Sequence, residues 1–133
     1  MNTLENKVAV VTGVGSGIGK AIALAFADQG AFLGIGDIDE NLLSKTKDEL
    51  KNKTKNVTSL KTDVSDEEQV KKLINQTVND HGKLDIIVNN VSVAIGGYPI
   101  TDMSNDDWQK IIGINFSSVF YGCKHSIPHL KNN

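Results

Sequence analysis

What this chain lacks sets its first limits. It carries a single cysteine, Cys123, so no internal disulfide staples it, and a lone thiol suits a reducing compartment. Neither sign of charge dominates: the net charge of -2 argues against a nucleic-acid surface, which needs a clustered basic face. No apolar run approaches the length of a membrane span. The opening "MNTLENK" has no signal-peptide pattern and leads almost directly into an apolar run. These absences point to a soluble, cytoplasmic protein with neither a nucleic-acid nor a membrane partner. The rest is ordinary for a globular chain, with 39% hydrophobic and 23% charged residues among 133. A single domain over residues 1–133 is expected, burying roughly two-thirds of its unfolded surface.

Four strand-like runs alternate with helix-like segments. "KVAVVTG" (Lys7 to Gly13), "AFLGIGDI" (Ala31 to Ile38), "VTSLKTDV" (Val57 to Val64) and "LDIIVNN" (Leu84 to Asn90) are short and largely apolar, as strands covered on both faces should be. Between the first two, Ile18, Ala21, Ile22, Ala25 and Phe26 mark a helix that Gly30 stops. Asp39 and Glu40 open a second helix whose face is Leu42, Leu43, Thr46 and Leu50. Ser65 with Glu68 reads as a capping box ahead of Val70, Leu73, Ile74 and Val78, and Gly82 ends that helix. After a loop from Val91 to Asp102, Ser104 caps a last helical region running through Trp108, Ile111, Ile112, Val119 and Phe120, with Pro128 near its far end. Alternation of this kind implies right-handed βαβ units. The expected fold is α/β: a Rossmann-like parallel sheet with helices on both faces, for which the usual strand order is 3-2-1-4.

The segment from Thr12 to Lys20, "TGVGSGIGK", lies between the first strand and the first helix. It fails the common G-x-G-x-x-G spacing, since the third position falls on Ile18. Its own spacing serves the same mechanics. Gly13 permits a sharp turn out of the strand, Gly17 lets backbone N–H groups face a pyrophosphate at the helix N-terminus, and Gly19 lets the helix pack closely on the sheet. Thr12 offers a hydroxyl to pin the loop. Asp37 ends the second strand close to the roughly 20-residue offset at which an acid reaches an adenosine ribose. A carboxylate there accepts from both ribose hydroxyls and repels a 2′-phosphate. At about 4 Å and an effective dielectric near 20 that repulsion is on the order of 4 kcal/mol, an upper estimate of roughly three decades of affinity. Val14, Gly15 and Ser16 add no basic group, so NAD is expected in preference to NADP. The alternative role for Asp37, capping the next helix, is weakened by the presence of Asp39.

Thr12 to Gly19, Asp37, "DV" at Asp63 and Val64, "NN" at Asn89 and Asn90, and "IGIN" ending at Asn115 together resemble the short-chain dehydrogenase/reductase family in its NAD-dependent classical branch. The resemblance covers essentially the whole chain in order. It implies that Gly13, Ser16, Gly17, Ile18 and Gly19 line the pyrophosphate and nicotinamide side. By the same resemblance Asp63 bonds the adenine amine, Val64 meets the ring edge, Asn90 lies along the adenosine ribose and Asn89 stabilises the fourth strand. The family usually reads Asn-Asn-Ala-Gly where this chain has "NNVS", so Val91 and Ser92 add bulk beside the cofactor.

Of the catalytic group the resemblance implies only Asn115, which in the family orders a water leading to a lysine. Gly113 and Asn115 are expected to loosen their helix locally. The family's serine and Tyr-x-x-x-Lys follow a fifth strand. Tyr121 and Lys124 are one residue too close and precede that strand, so both are read as structural, and Ser117, Ser118 and Ser126 fail by position. His125 and His129 read as a solvated helix end with no metal, and Trp108 as a helix-start aromatic over the core. The implied function is hydride transfer between a nicotinamide and a small carbonyl or secondary alcohol, with these residues as the dinucleotide-binding half and inactive alone. A non-catalytic nucleotide-binding or heteromeric partner module is the alternative; "LDIIVNN" would then present an apolar edge whose only charge is Asp85, which favours an incomplete sheet over a chain adapted to stand alone. The family often assembles through its last helices, which leaves a homo-oligomer open.

Overall fold

The computed structural model describes residues 3–130. Residues 1, 2 and 131–133, which include the ends of "MNTLENK" and "SIPHLKNN", lie outside the described residues. Strands β1 (Val8–Thr12), β2 (Phe32–Asp37), β3 (Val57–Lys61) and β4 (Ile86–Val88) form one parallel sheet in the order β3-β2-β1-β4. This is the expected order. Among the described residues five α-helices connect and cover the strands: α1 (Gly17–Asp28), α2 (Glu40–Leu50), α3 (Glu67–His81), α4 (Asn105–Ile111) and α5 (Ser118–Leu130). A π-helical turn, Ile112–Ser117, joins the last two, as the Gly113–Asn115 pair suggests.

The strand alternation shows why helices are needed on both faces. Along β1, Ala9 and Val11 pack with α1 and α2 residues such as Ala23, Ala27, Leu43 and Leu50. Val8 and Val10 turn the other way, into a second cluster with Val70, Leu73 and Ile74 of α3. All five residues of β1 are buried, so each face must be covered by an apolar helix stripe.

On α1 the expected stripe holds in part, since Ile22 and Phe26 pack against the core while the rest is corrected. The buried positions are Gly19, Ala23 and Ala27, whereas Ile18 is 73% exposed and Ala21 and Ala25 face outward. Small residues one turn apart let this helix lie close to the sheet, which a row of larger side chains would hold off. Leu42 of the expected α2 face is likewise at the surface, while Leu43, Thr46 and Leu50 are buried.

Helix ends follow local chemistry. The Asp39 carboxylate accepts from the N–H groups of Asn41 and Leu42, at 2.9 and 3.0 Å. At α3 the expected Ser65–Glu68 box is wrong. Asp66 is the cap, accepting from Glu68 and Gln69 at 3.0 and 3.3 Å, while Gln69 reaches back to the Asp63 N–H at 2.8 Å. Ser65 bonds Asp63 Oδ1 instead. An aspartate one residue later offers a fixed, charged acceptor to the same N–H groups and displaces the serine hydroxyl. Gly82 ends α3 in the left-handed region with φ 83°.

Two further expectations are corrected. Trp108 is 49% exposed and does not cover the core. Asp85 does not guard the β4 edge: its side chain, 8% exposed, accepts from the Val8 N–H at 2.9 Å and pairs with Lys83 at 3.0 Å. Burial pushes the Asp85 carboxyl up, but the Val8 N–H and the Lys83 ammonium outweigh it and hold the group below its usual range. The acid ties β4 to β1 rather than protecting the edge from other chains.

His81 closes α3 beneath the sheet. Its ring lies 5.7 Å from that of Phe32, and Nε2 is 3.2 Å from Thr58 Oγ1. Burial lowers its pKa below 6.5, against an opposing pull from the Asp80 carboxylate and a hydrogen bond to the Leu33 backbone. The folded chain thus favours neutral His81, while the unfolded chain takes up a proton from pH 6.5 downward. Stability contributed by this group is full above that pH and is lost as pH falls toward the lowered folded value. Thermal midpoints should decline across that window, and His81→Gln should flatten the decline. For the α3 cap, Asp66→Ala should cost about 1 kcal/mol in denaturant unfolding and Ser65→Ala clearly less.

Candidate functional site

A cavity of about 550 Å³ opens at the carboxyl ends of the strands, where an open parallel sheet places its crevice. The β1–α1 loop contributes Gly13, Ser16, Gly17 and Ile18; β2 ends on it with Asp37 and Ile38. Thr62, Asp63 and Val64 follow β3, and Asn90 to Val93 follow β4. Ile114, from the π-helical turn, completes the wall. Eight of the residues singled out from sequence therefore meet at one place: Gly13, Ser16, Gly17, Ile18, Asp37, Asp63, Val64 and Asn90.

The other three stand behind the wall. Thr12 Oγ1 donates to the Val88 carbonyl at 3.3 Å and accepts from the Asn90 N–H at 3.2 Å, pinning β1 to β4. Gly19 is buried beneath the loop. A Cβ there would overlap the Gly13 carbonyl oxygen and Asn90 Nδ2, so no other residue fits without moving backbone. Asn115 clasps Val93 with both ends of its amide: Oδ1 accepts the Val93 N–H and Nδ2 donates to the Val93 carbonyl, each at 2.7 Å.

Asn90 has a bracing role besides lining the cavity. Its Nδ2 donates to the Thr12 and Gly13 carbonyls at 3.0 and 3.2 Å, which fixes the turn from both strands. Asn89 faces away from the cavity, where Nδ2 lies 3.9 Å from Cys123 Sγ on α5. Asp63 Oδ1 accepts from the backbone and hydroxyl of Ser65. The carboxylates of Asp37 and Asp63 are the only ionisable groups among the lining residues.

The first turn of α1 supplies the opposite polarity. Ser16 is its N-cap residue but makes no side-chain capping bond, and no acid lies in the first turn. The leading N–H groups are left to whatever occupies the cavity beside Ser16, Gly17 and Ile18. At α2, α3 and α4, by contrast, Asp39, Asp66 and Ser104 each cap their helix.

Ile38, Thr62, Val93 and Ile114 were not singled out from sequence. Ile38, 60% exposed beside Asp37, carries a legible signal: an apolar residue left at the surface next to a strand-end acid. Thr62 and Ile114 reach the cavity through tertiary packing and carry none.

Tyr121 and Lys124 lie away from the cavity. Tyr121 packs on the α3-side core, and Lys124 and His125 share Glu67 Oε1 at 2.6 and 2.8 Å. Hydrogen bonds from those two side chains lower the Glu67 pKa. His125 is therefore half-buried against α3, not a solvated helix end, and His129 Nε2 lies 3.4 Å from Asn75 Oδ1. Among the described residues no group of three or more His, Cys, Asp or Glu is placed to hold a metal, and no helix is long and apolar enough to cross a membrane.

The Asn115 clasp gives a direct expectation. Asn115→Ala leaves both polar groups of Val93 without that partner and should cost about 1–2 kcal/mol. Hydrogen exchange should show the Val93 amide opening faster, with the sheet amides little changed.

Comparison with known proteins agrees with this geometry. A profile of the family described as short chain dehydrogenase matches residues 7–133. The chain is 35% identical over 126 residues to 3beta-hydroxysteroid dehydrogenase 2 of Eggerthella lenta, covering 95% of this chain and 48% of that protein. It is 32% identical to 3-oxoacyl-[acyl-carrier-protein] reductase FabG of Thermotoga maritima, covering 96% and 51%. A short-chain dehydrogenase/reductase from Burkholderia phymatum, solved in complex with NAD, superposes with TM-score 0.93 at 35% identity, covering 100% of this chain and 48% of that one. The 3-ketoacyl-(acyl-carrier-protein) reductase of Brucella melitensis, complexed with NADH, gives 0.91 at 30% identity, covering 98% and 52%. The chain thus spans about half the length of the relatives it matches. With its sheet order, its glycine turn and nearly all its residues accounted for in this way, the chain belongs to the short-chain dehydrogenase/reductase family.

Proposed function

We propose that this chain binds NAD, and that the protein it represents is an oxidoreductase moving hydride between the nicotinamide and a carbonyl or secondary alcohol. One observation carries the reading: the uncapped N-terminus of α1 and the Asp37 carboxylate meet at the same cavity. The first suits a pyrophosphate and the second a ribose diol. The close passage of Gly19 under Gly13 keeps the loop low enough for backbone N–H groups to reach a phosphate. The NAD and NADH complexes of the Burkholderia and Brucella proteins support the same cofactor class.

Preference for NAD rests on charge. A 2′-phosphate would approach Asp37 with no lysine or arginine among the lining residues to offset the repulsion. The 133 residues contain no arginine, the side chain best shaped to clasp a phosphate. Asp63 and Val64 are proposed to hold the adenine, and Asn90 to keep the turn rigid beside the ribose.

Bound NAD supplies the hydride acceptor. Within these residues only Asn115 belongs to the family's catalytic group, and its amide is engaged with Val93. Tyr121 and Lys124 face α3 and take no part. Dinucleotide binding is therefore proposed for this chain, and hydride transfer for the protein as a whole. A cytoplasmic location belongs to the same reading. The open edge of β4 suits a following strand of the same protein as well as a partner's, so it does not favour the module reading.

Calorimetric titration of the 133-residue chain with NAD and, separately, NADP tests the proposal. Saturable NAD binding is expected, with NADP weaker by up to about three decades. A folded chain that binds neither, or that prefers NADP, would overturn it.

A further inference from the structure

The acid that sets this preference does not hold itself in place. The Gly15 N–H donates to Asp37 Oδ2 at 2.8 Å, and the Asp39 N–H donates to Oδ1 at 2.9 Å. Each carboxylate oxygen thus takes one backbone hydrogen bond and keeps further acceptor capacity for a ligand. Gly15 is buried, and the space around it is closed. A Cβ on Gly15 would lie 2.9 Å from Asp37 Oδ2, 3.0 Å from its Cγ and 2.9 Å from Leu42 Cβ.

None of these neighbours is the loose end of a flexible chain. The Asp37 side chain is short and bonded at both oxygens. Leu42 Cβ is fixed to the first turn of α2, where Asp39 caps the Leu42 N–H. The loop is also tied to α2 from behind, since buried Thr46 donates to the Val14 carbonyl at 2.9 Å. Any side chain at position 15 must push the carboxylate off its seat or lift the loop from α2. Gly15 differs here from Gly17, whose added Cβ would meet nothing within 4 Å.

We propose that Gly15 is a specificity-determining position of the dinucleotide site, a positioning residue whose N–H and missing side chain together fix the Asp37 carboxylate. The proposal rests on the NAD reading above and deepens it: discrimination between NAD and NADP belongs to the pair, not to the acid alone. A displaced carboxylate loses its alignment with the ribose diol and stands less squarely against a 2′-phosphate. NAD affinity falls and NADP exclusion weakens together.

The test is a double-mutant cycle with Gly15→Ala, Asp37→Ala and the pair, titrating each chain with NAD and NADP. Gly15→Ala is expected to weaken NAD about tenfold and to narrow the NAD-to-NADP affinity ratio by a similar factor. In the Asp37→Ala background it should change that ratio less than about twofold. An unaltered ratio in the single variant, or equal narrowing in both backgrounds, would overturn the proposal. A second measurement needs neither dinucleotide nor the glycine variant. Hydrogen exchange of the Gly15 amide should be slow in the wild-type chain and at least about tenfold faster in Asp37→Ala. An unprotected Gly15 amide in the wild-type chain overturns the clamp. Binding of neither dinucleotide by the wild-type chain overturns the NAD reading and the specificity role with it, while the amide still reports on the clamp itself.

Discussion

The backbone crossing between Gly13 and Gly19 is the contact on which the rest of the cavity depends. The chain leaves β1, turns, and brings the first turn of α1 back over the Gly13 carbonyl, with Asn90 Nδ2 lodged against the same atoms. Three elements meet there through main-chain or amide atoms alone. Without that approach α1 would ride higher on the sheet, its buried Ala23 and Ala27 would lose their packing, and its N-terminus would no longer face the crevice. Packing of the core and presentation of the site are the same geometric fact.

Charge is distributed to suit that geometry. The lysines that find partners do so mainly on the outer surface, as in Lys20 with Glu49 and Lys53 with Asp28. Exposed pairs of this kind contribute little to stability, typically under about 1 kcal/mol each. The cavity receives two acids and a helix N-terminus. An occupant with phosphate at one end and hydroxyls at the other satisfies both, which a simple anion or cation would not.

Much of the fold was legible because it rests on local rules. The parallel sheet follows from strand and helix alternation and its order from the Rossmann-type pattern, while Asp39, Gly30 and Gly82 mark helix ends by chemistry that acts within a turn. Asp66 was hidden by its neighbour: Ser65 and Glu68 match a known pattern, and only the three-dimensional path shows which oxygen meets the N–H groups. On α1, Ile22 and Phe26 follow the helical pattern into the core, but Ile18 is apolar and belongs to the cavity, so hydrophobicity and burial part company at the site itself. Thr62, Val93 and Ile114 were illegible because long-range packing brings them in. The grip of Asn115 on Val93 spans 22 residues and leaves no periodic trace. Asp85 misled for a related reason, since a charge in a strand reads as an outward guard unless its partner strand is known.

The π-helical turn at Ile112–Ser117 has a mechanical meaning of its own. An α-helix advances about 100° per residue, and a wider turn acts as one residue inserted into that phase. The rod from Asn105 to Leu130 therefore has two angular settings instead of one. Its upstream part takes its setting from the Ser104 cap and the loop after β4. Its downstream part takes a setting from α3, where Glu67 grips Lys124 and His125. Asn115 sits at the joint between them with both ends of its amide bonded to Val93, so one side chain ties the loop after β4 to the point where the two settings meet.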